Sequence, residues 1–179
     1  MRAFLSRLFR ALGRWRNRPV AIPEAAPATP SSQALIHPKQ DCQALVDASL
    51  PFAWKMLAEF GSFHPYAAAM KATGEIVSVA AQDGRADPPA ADVIRQLRNA
   101  FTEAARNGEY RATAVFYDVF AAKSAQEPKT DAVAVALDHR DGYSVVTLYP
   151  YRIKDKALTR GEPFAQRGTG GIFPPRVLH

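Results

Sequence analysis

The segment DAVAVALD-HRDG-YSVVTLYPYRI, residues 131–153, decides the fold. Its first part, 131–138, is a short apolar run between two aspartates, and its last part, 143–153, is rich in β-branched and aromatic residues. Such runs are typical of strands. The four residues between them end in Asp141-Gly142, a pair that hairpin turns favour because glycine reaches left-handed backbone conformations at little cost. The segment therefore predicts a β-hairpin.

The same reasoning extends toward the N-terminus. Residues 110–121 are aromatic and β-branched, and they predict a third strand immediately before the hairpin. Residues 64–71 and 75–81 predict a second hairpin around the turn 72–74. Together these segments predict a sheet of about five strands.

Two helices are expected beside the sheet. One follows Pro38, runs over about 39–60 and stops at Gly61. Pro51 should kink or split this helix, because proline lacks the backbone donor and crowds the preceding turn. The other begins at Pro88-Pro89 and carries an apolar stripe at helical spacing until Asn107-Gly108.

The element order α-β-β-α-β-β-β predicts an α+β domain over residues 35–153, with an antiparallel sheet and helices covering a face. Profilin-like and roadblock-like domains share this order, which is an analogy of topology and supplies no function. Residues 154–179 are rich in glycine, proline and basic residues, so we expect an irregular basic tail. Ile172-Phe173 is expected to pack back on the domain as a small anchor.

A detached amphipathic helix is predicted over residues 1–18. Its apolar and basic side chains divide cleanly between two faces at 100° per residue. The residues proposed to bind a membrane or a partner are Phe4, Leu5, Arg7, Leu8, Arg10, Leu12, Arg14 and Trp15. Residues 19–34 alternate proline with alanine and predict a disordered linker.

The binding target of this helix is left open by the sequence. Arginine with bulky apolar residues suits a lipid surface, while a partner groove or the protein's own acidic domain would also cover the apolar stripe. A mitochondrial transit peptide is a further alternative, because residues 1–23 contain no Asp or Glu. Ser6, Arg7 and Arg10 interrupt the apolar run that a secretory signal needs.

Charge divides the chain into three parts. Residues 1–34 carry a net charge of +5, residues 39–150 carry −3 and residues 151–179 carry +4, which together give the +6 of the chain. The basic character therefore belongs to the two ends, and the folded middle is mildly acidic. A nucleic-acid partner is accordingly not expected for the domain.

No motif in the sequence predicts a catalytic site or a cofactor. His64 with Glu59 could supply general-base chemistry in a small ligand-binding or hydrolase-like domain, but no nucleophile accompanies them.

Residues 167–171, RGTGG, resemble a phosphate-binding loop only loosely, because the lysine and the following helix of such loops are missing. Cys42 lies at helical spacing among apolar residues and is expected to be a buried core thiol, which fits a reducing, cytoplasmic compartment.

A metal site is considered at the tip of the central hairpin, where Asp138, His139 and Asp141 follow one another closely. Aspartate and glycine are also what a tight turn requires, and no second ligand cluster accompanies these three residues. We therefore predict no metal.

Aromatic residues with acidic neighbours on the last strands predict a protein-binding surface. The residues proposed for it are Tyr117, Asp118, Tyr149 and Tyr151. Tyrosine is enriched at protein interfaces, although packing within a sheet explains these residues equally well.

Several short stretches carry a resemblance: EFG (59–61), FHPYA (63–67), GEYRA (108–112), KTDA (129–132) and DGYS (141–144). They resemble small uncharacterised bacterial α+β proteins, some of which are similar to immunity or accessory proteins found beside secreted toxins. The resemblance covers about the central hundred residues and brings no catalytic residues with it. It implies binding to another protein.

Three functions follow as expectations. The first is a non-enzymatic protein-binding module, of the immunity or accessory kind. The second is a peripheral membrane protein at the inner face of the membrane, anchored by residues 1–18. The third is the small ligand-binding or hydrolase-like domain that would use His64.

Overall fold

The structure, a computed structural model, describes residues 37–80, 88–124 and 126–174. The predicted helix over 1–18 and the predicted linker over 19–34 lie outside these residues. Neither helix that the structure describes has the length and apolar character needed to cross a membrane.

Two helices and seven strands form in the described residues. The helices are α1 (Pro38–Phe60) and α2 (Ala90–Arg106). The strands are β1 (Tyr66–Lys71), β2 (Ile76–Val79), β3 (Tyr110–Ala121), β4 (Thr130–His139), β5 (Ser144–Lys154), β6 (Ala157–Arg160) and β7 (Phe164–Arg167). The predicted α+β class and antiparallel sheet are confirmed.

All strand pairs are antiparallel. The order across the sheet is β2-β1-β3-β4-β5-β6, and β7 also pairs with β5. One edge of β5 is shared, because residues 145–148 pair with β7 while residues 151–154 pair with β6. The region 154–179, which we expected to be irregular, thus adds two short strands to the sheet. Both strands satisfy backbone donors and acceptors on the edge of β5 that faces away from β4.

The two helices pack on opposite faces of the sheet, whereas the sequence led us to place both on a face. Strand alternation explains the arrangement, because successive side chains of β4 point to opposite sides. Val133, Val135 and Leu137 join the core under α1, while Ala136 belongs to the core under α2. We call these two sides the α1 face and the α2 face. Both are buried along most of β4, which makes it the central strand of the domain.

Helix α1 runs unbroken through Pro51, so the predicted split is wrong. Pro51 lies on the exposed side of the helix. The carbonyl that loses its backbone donor there, on Asp47, belongs to another exposed residue and can be hydrated, which removes much of the cost. Gly61 ends the helix as predicted, with φ of 73° and its N–H bonded to the Leu57 carbonyl.

The C-terminal anchor is confirmed. Ile172 is 2% exposed and belongs to the core under α2, with Phe173 packed against it. We call residues 168–174 the C-terminal arm. It follows β7 and returns the chain to the α2 face.

The β5–β6 turn contains a conformational cost. Asp155 and Lys156 both have positive φ, 51° and 65°, which is the backbone of a two-residue hairpin turn that favours glycine at its second position. A lysine side chain in this region costs about 1 kcal/mol.

We therefore predict that Lys156→Gly raises the free energy of unfolding by about 0.5–1 kcal/mol. Thermal and urea unfolding of the full chain would measure the change. Lys154→Gly is the matched control, because Lys154 is part of β5 and glycine weakens a strand. A loss of stability in Lys156→Gly comparable to that of the control would contradict the assignment of strain to this turn.

Candidate functional site

Four polar residues, from one helix, two strands and a turn, meet at the end of the sheet where β4 finishes. Asp41 comes from the first turn of α1, Arg111 from the start of β3, His139 from the end of β4 and Asp141 from the turn that follows. We call them the Asp41 cluster. They are the most closely connected group of titratable side chains in the described part of the chain.

Asp41 is the centre of this cluster. Its Oδ1 accepts a hydrogen bond from Arg111 Nη2 at 2.8 Å, and its Oδ2 lies 3.2 Å from His139 Nε2. The carboxylate also lies in the first turn of a helix, where the exposed N–H groups of the backbone favour a negative charge. Asp41 therefore connects α1 to both β3 and β4.

The tautomer of His139 follows from its contacts. Nδ1 accepts the backbone N–H of Asp141 at 3.0 Å, so the proton of the neutral ring lies on Nε2 and is donated to Asp41. The side chain of His139 is fully buried. Burial lowers the pKa of His139 from its usual 6.5, and the hydrogen bond to Asp41 opposes this effect without reversing it.

An aspartate–histidine pair is a common component of catalytic sites, but this pair is not open to a substrate. Both ring nitrogens are already bonded, and the ring has no exposed surface. The neighbouring thiol is unreactive as well: burial, with the Asp41 and Asp138 carboxylates, raises the pKa of Cys42 to about 12. The geometry supports a structural role, in which the cluster fixes the first turn of α1 on the sheet.

The three residues considered for metal binding do not converge. Asp138 is next to His139 in β4, so its side chain points to the α2 face, while His139 points to the α1 face. No group of three or more His, Cys, Asp or Glu side chains in the described ranges is placed to hold a metal ion.

The glycine-rich stretch 167–171 is held against the start of β5. The N–H groups of Gly168 and Gly170 donate to the backbone oxygen and the Oγ of Ser144, at 3.2 and 3.0 Å. These donors are committed within the protein, so the loop does not have the geometry of a phosphate cradle.

His64 lies in the segment before β1 and is exposed; no carboxylate among the described residues forms an ion pair with it.

The residues predicted to bind a partner fall on both faces. Asp118, Tyr149 and Tyr151 lie on the α1 face, because β3 and β5 alternate in register with β4. Tyr117 lies on the α2 face. The eight residues predicted to form the N-terminal binding face, Phe4 to Trp15, are outside the described part of the chain.

Tyr151 is a core residue with a polar end. It is 5% exposed and packs edge-on against Trp54, and its hydroxyl donates to Asp118 Oδ1 at 2.9 Å. The Arg160 guanidinium lies 4.9 Å from the centre of the Trp54 ring on the same face. Desolvation raises the pKa of both Tyr151 and Asp118.

Beyond Asp118, the α1 face carries apolar surface that the helix does not cover. Phe120 is 65% exposed, more than any other large hydrophobic side chain of the described residues, and Ile153 is 38% exposed. Phe120 lies directly across from Asp131 in the β3–β4 register. We call Asp118, Phe120, Asp131 and Ile153 the open patch. Its apolar members were not singled out in the sequence, because periodicity does not show where a covering helix ends.

Comparison of the chain with protein-family models, curated proteins and solved structures finds no match to any of them. The Asp41 cluster is buried and structural, whereas the open patch is exposed to solvent.

The buried histidine makes stability depend on pH. Because the pKa of His139 is lowered in the folded state, the unfolded chain binds a proton more readily than the folded chain below about pH 6.5. The stabilisation is complete above this pH and is lost as the pH falls through the folded pKa. We predict that the free energy of unfolding decreases between pH 7.5 and pH 5.5.

His139→Gln should remove part of this dependence, so that the variant loses less stability than the parent chain over the same range. Urea unfolding at fixed ionic strength would measure it, with the exposed His64→Gln as the matched control. A slope against pH that is equal in His139→Gln and in the parent would contradict the role given to His139.

Proposed function

We propose that the domain is a non-enzymatic protein-binding module and that the open patch is its contact surface. The observation that carries the proposal is the exposure of Phe120 beside two carboxylates. Fully burying a phenylalanine side chain contributes about 1.5–3 kcal/mol, and this contribution is available to a partner that covers the patch.

The surroundings of Phe120 support a specific contact rather than a stray apolar residue. Asp118 and Asp131 lie on the same face of the sheet, and burial raises the pKa of Asp118, with the Asp131 charge acting in the same direction. Carboxylates in such a position gain most from a cationic group that replaces water. A partner surface that combines an apolar residue with arginine or lysine fits this patch.

The ordered surroundings of Asp118 also favour binding. Tyr151 and Trp54 pack against each other on the same face of the sheet, and the Tyr151 hydroxyl orients Asp118. A preorganised surface loses little conformational entropy on association. The polar cluster around Asp41 is already engaged internally, which leaves the open patch as the more accessible of these two sites.

The kind of partner is inferred from the resemblance to bacterial immunity or accessory proteins and from the mildly acidic middle of the chain. A protein partner with a basic surface agrees with both, whereas nucleic acid does not. The cytoplasm is the compartment proposed for this interaction.

The test is capture of a partner by crosslinking with the full chain in its source cells, followed by reconstitution from purified proteins. We expect a stoichiometric complex whose Kd increases at least tenfold in Phe120→Ser, as for residues at the centre of an interface. Lys55→Ser, exposed on α1, is the control and should bind as the parent does. A captured protein that binds Phe120→Ser as tightly as the parent would contradict this surface.

A second candidate function is attachment to a membrane surface through residues 1–18. The division of apolar and arginine residues over this segment, with no acidic residue in 1–23, favours it. The domain would then be the cargo and could still carry the open patch.

Flotation with anionic liposomes tests this second function. We expect the full chain to float with the liposomes and a chain that begins at Ser31 to remain at the bottom, with the difference reduced by high salt because the attraction is partly electrostatic. Equal behaviour of the two chains would exclude membrane attachment by residues 1–18.

A further inference from the structure

A cavity of about 140 Å³ lies at the opposite end of β4 from the open patch. Its walls are the β4–β5 turn and the C-terminal arm. The side chains and backbone that matter for its chemistry come from Asp138, Arg140, Tyr143, Ser144, Gly171 and Phe173. The cavity is partly open to solvent, and its volume suits a ligand of the size of a small organic molecule.

The arm side of the cavity is built by fixed contacts. Arg98 Nη2, from α2, donates to the Gly170 carbonyl at 2.7 Å, and the Gly170 N–H donates to Ser144 Oγ at 3.0 Å. The buried Ile172 holds the next residue of the arm in the core. The cavity therefore has a defined shape.

Asp138 is the unusual group of this cavity. Its side chain is 8% exposed, and no described residue donates a hydrogen bond to its carboxylate. The nearest cation is Arg98, whose Nη1 lies 3.9 Å from Asp138 Oδ2, beyond hydrogen-bond distance, and whose Nη2 is bound to Gly170. The Asp138 oxygens are not fully buried, so the carboxylate offers an accessible acceptor to a donor in the cavity.

The chemistry of the walls selects among ligand classes. A metal ion lacks a set of three ligands in the described residues, and an anion would face the carboxylates of Asp138 and Asp141. Arg140 is the cation of the rim, and His139 is held neutral with both nitrogens bonded. Ser144 lies directly across from Asp138 in the β4–β5 register and adds a hydroxyl.

We propose that this cavity binds the primary ammonium group of a small amine, with the Asp138 carboxylate as its main acceptor. An ammonium group has three N–H donors and approaches closer to the carboxylate than Arg98 does at 3.9 Å. Phe173, which packs on the α2 face as Asp138 does, supplies aromatic surface for the cation and its short alkyl chain. The site is independent of the protein-binding function proposed above and lies at the other end of the sheet.

The test uses the full chain labelled with ¹⁵N and propylammonium as the probe. We expect saturable shifts of the amides of Gly142, Gly170 and Gly171, with a Kd in the millimolar range as befits a ligand of about four non-hydrogen atoms. Asp138→Asn should increase the Kd on the order of tenfold or more, because a charge-assisted hydrogen bond is lost. Asp47→Asn, exposed on α1, is the matched control and should leave the Kd unchanged.

Two probes tested on the parent chain keep the proposal falsifiable should Asp138→Asn fail to fold. Tetramethylammonium has the charge without N–H donors, and propanol has the chain without the charge; we expect neither to saturate the same amides. Equal responses to propylammonium and tetramethylammonium, or an unchanged Kd in folded Asp138→Asn, would overturn the proposal. Phe120→Ser should retain the response to propylammonium, so the failure of one site is distinguishable from failure of the other.

Discussion

The pairing of the last two residues of β4 with the two helices is the constraint on which the rest of the domain depends. β4 is buried on both faces, so polar side chains at its end cannot remain without partners. His139 points to the α1 face and finds Asp41 of α1, while Asp138 points to the α2 face and finds Arg98 of α2. One dipeptide thereby positions both helices on a single strand. The two pairings differ, because Asp41 makes close hydrogen bonds whereas Arg98 stays 3.9 Å from Asp138.

The two carboxylates therefore differ in how completely their neighbours bind them. Arg111 and His139 each contact one oxygen of the Asp41 carboxylate at hydrogen-bond distance, so the α1 side of the turn is held by close polar contacts. On the α2 side, Arg98 divides its guanidinium between Asp138 and the Gly170 carbonyl. Because Arg98 binds the C-terminal arm, it does not reach hydrogen-bond distance of the Asp138 carboxylate. A polar cavity lies beside this carboxylate. Arg98 thus both holds the C-terminal arm and leaves the Asp138 carboxylate facing the cavity.

Local patterns in the sequence predicted the elements but not their long-range partners. The bounds of β3 agree with the segment 110–121, because its aromatic and β-branched residues express the burial of a central strand directly. The contact between Asp41 and His139 joins residues 98 positions apart, and no spacing in a single sequence encodes such a distance. The strands β6 and β7 were missed because four-residue edge strands carry little periodicity and form by pairing with the long β5.

Of the four residues predicted to bind a partner, three lie on the same face of the sheet. Strand alternation and register put three of them on the α1 face: Asp118, Tyr149 and Tyr151. Tyr117 was grouped with them, but it is next to Asp118 in the same strand and therefore lies on the other face. The exposure of Phe120 depends on where α1 stops covering the sheet, which is a tertiary property. β4 then separates two kinds of surface: at its start, apolar and acidic groups of the open patch face solvent, and at its end, polar groups line a small, partly open cavity. The first suits a large partner and the second suits a small molecule, so the two ends of one strand are suited to ligands of different size.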